Sequence, residues 1–573
     1  MKELKPIVQS QNGQSNQLSD HPSQTDLTDE TDWLDHLPPV SRTRRAVIHV
    51  QAGQIDPIVD QIEYELANTG RFFQRGACIV SVEEVPESRT KHIRPVTKSR
   101  LTREISKIAR WTRLDKEGKE KESDPPERHT VILLDSGVHA HLLPLIGLAH
   151  QPQIREDGSL LIEAGYDMST FLYGVFDPAD YQITANPSRS DALEALDRVK
   201  SLFAEMCFQS EADFAAAMAA VFTAVIRPTL ATAPMFHVKA PLAGSGKSYL
   251  VQIIAKFASP ANPAVFAFPT NNEEAHKLIV SALQEGPACI NFDNLTTDIA
   301  PHVSLCSAIT EENLTGRILG QSKVTTVSTR SLFLSSGNNV GPIQDMSRRC
   351  ITINLDPQME SPATKKFRGN PLRTLTLSRG IYVSAVLTII SAWIAAGRPQ
   401  TPCKSLVSFS EWDQLVRQSL LWLDMEDPAK SIYEQIDRDP DREQLGRFQH
   451  CWFALFGEKQ MMLREAIGQA TREKGIDPNG MNIQFLEACM EIAGENGNVN
   501  ARRLGRWISR KQGRIVGNLK IEKSRLSTNA EKWVVTEVAS VKSVLSVTDS
   551  YADPGEANGL PETISSDKDP WDE

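Results

Sequence analysis

The stretch KAPLAGSGKSYL at 239–250 constrains the chain more than any other feature. The apolar run MFHVKA reads as a short strand leading into it and SYLVQIIAKFA as a helix leading out, with glycines 244 and 246 between. A glycine loop in that position turns backbone N–H groups toward one point, where they and the helix N-terminus attract phosphate oxygens. Ala243, Gly244, Ser245 and Gly246 are the candidate cradle, Lys247 the cation for the terminal phosphates, and Ser248 the hydroxyl that joins a magnesium ion. Pro241 stands where the usual GxxxxGK[ST] pattern has its first glycine. That site shapes the turn out of the strand, and a proline fixes a turn too, so the phosphate-facing half is intact.

The sequence after the loop alternates in the manner of a parallel α/β sheet, with PAVFAF, PACINFDN, RSLFLSSGNN and RCITINL as further strands and NEEAHKLIVSALQEG as a helix. ACINFDNL places Asp293 at a strand end, where a carboxylate can hold magnesium through water. Asn294 follows, where many P-loop ATPases carry a glutamate that polarises the attacking water. Glu274, at the start of the preceding helix with Glu273, is a candidate replacement base; acidic residues there also simply suit the helix dipole. Asn338 ends another strand and can bond the attacking water or terminal phosphate if that strand lies between those of the loop and Asp293. Arg348 and Arg349 follow it, and an arginine of one subunit can stabilise the phosphate bound by a neighbour.

The order LAGSGKS, INFDN, LTGRILGQSKVTTVSTR, LFLSSGNN and DMSRRCITI resembles superfamily III helicases within the AAA+ ATPases, particularly the primase/helicase-like replication proteins of phages, plasmids and prophages. The resemblance is specific over about 225–360 and weaker over most of 43–537. It implies ATP and Mg2+ as ligands, a ring of identical subunits, by analogy a hexamer, and DNA as the polymer acted on. It also implies a hairpin between the Asp293 and Asn338 strands that reaches into the ring channel with Arg317, Gln321 and Lys323, Lys323 being the candidate for a DNA phosphate. Arg349 fits the arginine position before the final strand better than Arg348. The alternatives are an ATP-switched DNA-binding initiator or loader that hydrolyses slowly, and a primase activity in residues 43–187.

The expected architecture is an α/β P-loop core of AAA+ type at 229–360, preceded by a small α+β region at 43–187 and a helical adaptor at 188–228. A helical lid region at 361–480 and a winged-helix-like segment at 481–537 follow it. RAVIHVQAG, DPIVDQIEYELANTG and ACIVSVEE read as strand, helix and strand of a first compact unit over 43–85; HTVILLDS reads as an apolar strand ending at Asp135, with no second aspartate beside it for a primase metal site. In the last segment ARRLGRWISRKQG is the helix that could enter a DNA groove through Arg502, Arg503, Arg506, Arg510 and Lys511, while Leu504, Trp507 and Ile508 face the core. The formal charge is -10, yet 88–121, expected as a basic linker, and 501–525 are strongly basic; the tails 1–42 and 538–573 are polar, acidic and expected to be disordered. The eight cysteines form no CxxC pair or metal-spaced cluster, which points to reduced thiols in a cytoplasm. The apolar run at 381–396 is shorter than the roughly 20 residues that span a bilayer and is expected as a buried helix, so no membrane partner is expected.

Overall fold

The computed structural model describes residues 45–85, 90–317, 324–360, 362–364, 368–438, 440–476, 480–524 and 531–538. The expected tails lie outside these residues, apart from Val538, as do Gln321 and Lys323. The described residues form two compact units, 45–69 with 97–135 and 70–96 with 136–538.

In the first unit, strand Ala46–Val50 pairs parallel with Ala109–Leu114, which pairs antiparallel with Glu120–Glu122. Helices Ile55–Asn68, Lys98–Ile108 and Glu127–Asp135 pack on one another. Several parts of this front region depart from expectation. The run HTVILLD lies within a helix, so Asp135 ends a helix and not a strand. Two prolines at 125–126 and Glu127 in the first turn favour a helix start, and the buried side chains His129, Thr130 and Leu133 fall on one helical stripe. The basic stretch is no linker: Leu101, Ile105 and Trp111 are buried, and the Trp111 indole N–H donates to the Ile105 carbonyl at 3.1 Å. Its cations lie on the surface, partly paired, as in Lys107 with Glu104 and Arg110 with Glu122. Residues 70–85 belong with the second unit and not with 45–69. There the antiparallel strands Phe72–Arg75, Cys78–Val85 and Thr90–Pro95 lay Phe73, Val80, Val82 and Ile93 against Leu145 and Leu148.

The second unit is built around five parallel strands. In chain order the elements are β1 (Met235–Ala240), α1 (Lys247–Ala258), β2 (Ala264–Phe266), α2 (Asn272–Glu285), β3 (Cys289–Leu295), α3 (Val303–Thr310), the hairpin β4 (Asn313–Arg317) and β5 (Val324–Ser328), β6 (Leu332–Asn338) and β7 (Cys350–Asn354). The sheet order is β2-β3-β6-β1-β7, so all five expected strands form and the Asn338 strand lies between those of Asp293 and the glycine loop. Central strands buried on both faces read as near-continuous apolar runs, as FHV and INF do here. Helix Glu211–Ile226 is buried nearly all round and packs on α1. Helix Arg379–Ala395 is the expected buried helix and lies against Arg189–Lys200, which Ser188 and Asp191 open with a capping box. No single helix among the described residues is long and apolar enough to cross a membrane.

A separate apolar cluster from Leu445 to Val535 forms the C-terminal part. Its core starts well before 481, because Pro440–Phe456 and Leu463–Glu473 contribute to it beside Met481–Ala493 and Ala501–Lys511. A four-stranded antiparallel sheet, Met461–Met462, Lys532–Glu537, Leu519–Lys523 and Ile515–Val516 in that order, completes it.

Candidate functional site

The strand order brings the carboxyl ends of β1, β6 and β3 side by side, the place where open α/β sheets bind ligands. From β1 the chain enters the loop 241–246, in which Gly244 and Gly246 have φ of +76° and +88°. L side chains rarely adopt that conformation, which explains glycine at both positions and lets consecutive N–H groups face one point. The Ser245 hydroxyl donates to Leu242 O at 2.6 Å and the Lys247 ammonium to the same carbonyl at 2.9 Å, closing the loop on itself. Burial lowers the Lys247 pKa, against the opposing charge of Asp293. Its ammonium therefore stands over the loop, where an arriving phosphate would exchange the carbonyl for charged oxygens.

Asp293 is held from the helix after the loop and from the neighbouring strand. Ser248 Oγ donates to its Oδ1 at 3.0 Å, and Ser336 Oγ on β6 donates to the same oxygen at 2.5 Å. The Ser336 hydroxyl also accepts from the Asn294 N–H at 3.3 Å, at the point where the β3–β6 register slips between Phe292 and Leu295. Asn294 has φ of +55°, a left-handed conformation that asparagine tolerates better than most residues. The donor set fits a hard divalent cation: a serine hydroxyl suits magnesium directly and a carboxylate suits it through water, which leaves most positions to water and phosphate oxygens, as that ion prefers. Among the described residues no group of three or more His, Cys, Asp or Glu could hold a metal by itself.

Asn338 closes β6 level with Ala240 and is exposed. Its neighbour Asn339, with φ of +51°, donates its N–H to Ala240 O at 3.3 Å and its amide Nδ2 to Pro241 O at 3.4 Å. The proline in place of the first glycine thus still offers a carbonyl that ties the loop to the asparagine turn. Sequence reasoning missed Ser336 and Asn339. Both lie in SSGNN, but their roles depend on which strand β6 sits between.

The two arginines face differently. Arg349 is nearly buried, ion-paired with the Asp345 carboxylate and donating to Asp345 O at 2.9 Å, whereas Arg348 is half-exposed and donates to Asp345 Oδ1 at 2.6 Å. Burial would raise the Asp345 carboxyl, but the two guanidiniums together hold it below its ordinary range. Glu274 accepts from the Thr270 N–H and hydroxyl at 3.0 and 2.8 Å; those bonds lower its pKa. It lines a surface groove with Glu273, Lys277 and Phe266, apart from the cavity beside the glycine loop. That second cavity, about 370 Å³, is walled by Met206, Cys207, Tyr249, Pro357 and Pro371 next to Gly244 and Gly246. Its far wall is fastened by Tyr249 O–H donating to Asn370 Oδ1 at 3.0 Å and by the Glu205 carboxylate accepting from the Arg368 and Gly369 amides. An apolar slot of that size beside a phosphate cradle suits a nucleobase.

Of the candidate DNA contacts, Arg317 is exposed at the end of β4, where the hairpin leaves the face of α2. On helix Ala501–Lys511, Arg502, Arg503, Arg506 and Arg510 are exposed while Leu504 and Ile508 are buried and Trp507 packs edge-on to Phe448. Lys511 instead turns to Asp441, 2.7 Å away, and is largely buried.

No protein-family profile matches the chain, and no curated protein matches it. Among solved structures, it is similar to the apo form of the NrS-1 C-terminal region, with 12% identity over 83% of this chain and 99% of that one and a TM-score of 0.36. It is also similar to the JCV helicase, with 9% identity over 43% of this chain and 71% of that one and a TM-score of 0.18.

Proposed function

We propose that the chain is an ATP-driven DNA helicase or translocase, working as a ring of identical subunits in the replication of a mobile genetic element. The observation that carries the reading is the convergence of Lys247, Ser248, Asp293 and Asn338 at the ends of three adjacent parallel strands. ATP would place its phosphates in the 243–248 loop and its base in the cavity beside Tyr249. Bound magnesium would neutralise charge on the transferring phosphoryl group. Lys247 would stabilise the terminal phosphates, Asp293 would orient water on the metal, and Asn338 would hold the terminal phosphate or the attacking water. Arg348, exposed on the surface, would reach a neighbouring subunit's site more readily than Arg349. The β4–β5 hairpin, with Arg317 and Lys323, would follow the phosphates of a single strand, and the four exposed arginines of Ala501–Lys511 would contact a DNA backbone, so binding would weaken steeply with salt.

DNA-stimulated ATP hydrolysis and strand displacement by the full chain, with native mass measurement for the ring, test the reading. Lys247→Ala is expected to lower hydrolysis by about a hundredfold or more, of the size seen when one preorganised charge donor is removed. Unwinding that survives this substitution would sink the helicase assignment. Asn294 supports a second reading, a nucleotide-switched initiator or loader, because no carboxylate follows Asp293 and the residue there is left-handed. ATP that alters DNA affinity without DNA-stimulated turnover would favour it.

A further inference from the structure

His237 lies in the middle of β1, wholly buried, opposite Ser335 of β6 and Thr352 of β7. An imidazole there is costly unless both ring nitrogens are satisfied. Nε2 lies 3.0 Å from Val340 O and Nδ1 lies 2.8 Å from Ser335 Oγ. A carbonyl only accepts, so Nε2 carries the proton and donates to Val340, while Nδ1 accepts from the serine hydroxyl; the network assigns this tautomer. Burial keeps the ring neutral, lowering its pKa to about 4; the Val340 carbonyl and Asp298 oppose the shift, and Lys239 and Lys247 add to it.

Val340 directly follows Asn338 and Asn339. The chain reverses so tightly there that a Cβ on Gly337 would run into Val340 Cγ2, and Asn339 takes the left-handed conformation. The β1–β6 ladder ends at the pair Ala240 and Asn338, and past it the ties from Asn339 to Ala240 O and Pro241 O are long at 3.3 and 3.4 Å. The second of them is exposed. Asp298 holds the following residue, accepting from the Gly341 N–H at 3.0 Å, but it belongs to the segment after β3 and not to the loop strand. Beyond the backbone ladder, the buried histidine bond is thus a short side-chain tie from the strand carrying the phosphate loop to the turn carrying Asn338.

We propose that His237 is a positioning residue: its Nε2–H···O=C bond to Val340 keeps the Asn338–Asn339 turn in register with the phosphate loop, so that hydrolysis, more than nucleotide binding, depends on it. The inference rests on the ATPase reading above. The test uses the full chain with His237→Gln, whose amide nitrogen can replace Nε2, and His237→Leu, which has similar bulk and no donor. Affinity for a fluorescent ATP analogue, steady-state hydrolysis and thermal melting are measured for each. His237→Leu is expected to lower kcat about tenfold, the rate equivalent of one hydrogen bond, with nucleotide affinity within about twofold; His237→Gln is expected to return kcat to within about threefold of the parent. If the leucine variant does not fold, His237→Asn replaces it, since its shorter amide reaches the Nδ1 position and not Val340. A folded leucine or asparagine variant with parental kcat overturns the proposal, and so does a glutamine variant as slow as either. Absence of hydrolysis by the parent chain overturns the ATPase reading and this proposal together, whereas parental hydrolysis with unaffected variants overturns this proposal alone.

Discussion

At the scale of single residues, Asp293 receives two hydroxyl donors on one oxygen, Ser248 from the helix after the loop and Ser336 from the neighbouring strand. Among the described residues its other oxygen accepts no such bond, and it is the atom suited to water on a metal. Arg348 and Arg349 divide in the same local way. Arg349→Ala removes the buried partner of Asp345 and is expected to destabilise the fold by about 2 kcal/mol, less than a fully buried pair because Asp345 is half-exposed. Arg348→Ala is expected to stay within about 0.5 kcal/mol of the parent yet, under the proposed ring arrangement, to lower ATP hydrolysis. Denaturant unfolding and an ATPase assay on both variants separate these outcomes. An exposed arginine that changed stability more than the buried one would contradict the assignment. The loop residues and Asp293 were legible from sequence because each stands at a fixed offset from a strand end. The opposite facing of adjacent arginines was not, since a pair in a loop carries no periodicity.

At the scale of elements, the seam between β1 and β6 is closed by polar atoms inside an apolar sheet, His237 to Ser335 and Val340. The neutral ring makes that seam acid-sensitive. Its folded pKa of about 4 lies below the ordinary histidine value, so the folded state binds fewer protons than the unfolded one; the contribution is complete above about pH 6.5 and is lost as the pH falls toward 4. The loss by pH 4 is on the order of 3 kcal/mol. His237→Gln is expected to flatten the stability profile between pH 6.5 and 4, read by denaturant midpoints across that range. An unchanged profile would show that the histidine is not the titrating group. All five sheet strands could be read from MFHVKA to RCITINL because buried parallel strands are apolar runs, whereas the hairpin was expected only from the family resemblance. His237 and Ser336 could not be picked out, because a polar residue in an apolar run gains meaning only from the neighbouring strand's register. HTVILLD misled for the related reason that a short apolar run fits a strand or a buried helix equally, and its prolines decided for the helix.

At the scale of the molecule, the chain enters the second unit at Gly70, leaves it after Val96 and re-enters at Ser136. The 70–96 excursion is structurally committed: buried Arg75 donates to Gln284 O and Leu283 O at 2.9 and 3.0 Å, capping the end of α2, and burial lowers its pKa to about 10. A fragment from 70 to 538 is therefore expected to melt higher than one from 136 to 538 by at least about 2 °C, a gap that corresponds to roughly two kcal/mol in a chain of this size. Equal melting in differential scanning calorimetry would show that the excursion is dispensable. This interleaving was invisible in the sequence, where 43–85 shows ordinary strand and helix periods and only long-range packing assigns Phe73 and Val80 to the later chain. It also bears on descent. A single recombination crossover cannot exchange one unit for a foreign version: a break before 70 leaves 97–135 behind, and a break after 135 carries off the cap of α2. The order of segments thus leaves no single break that separates the two units cleanly.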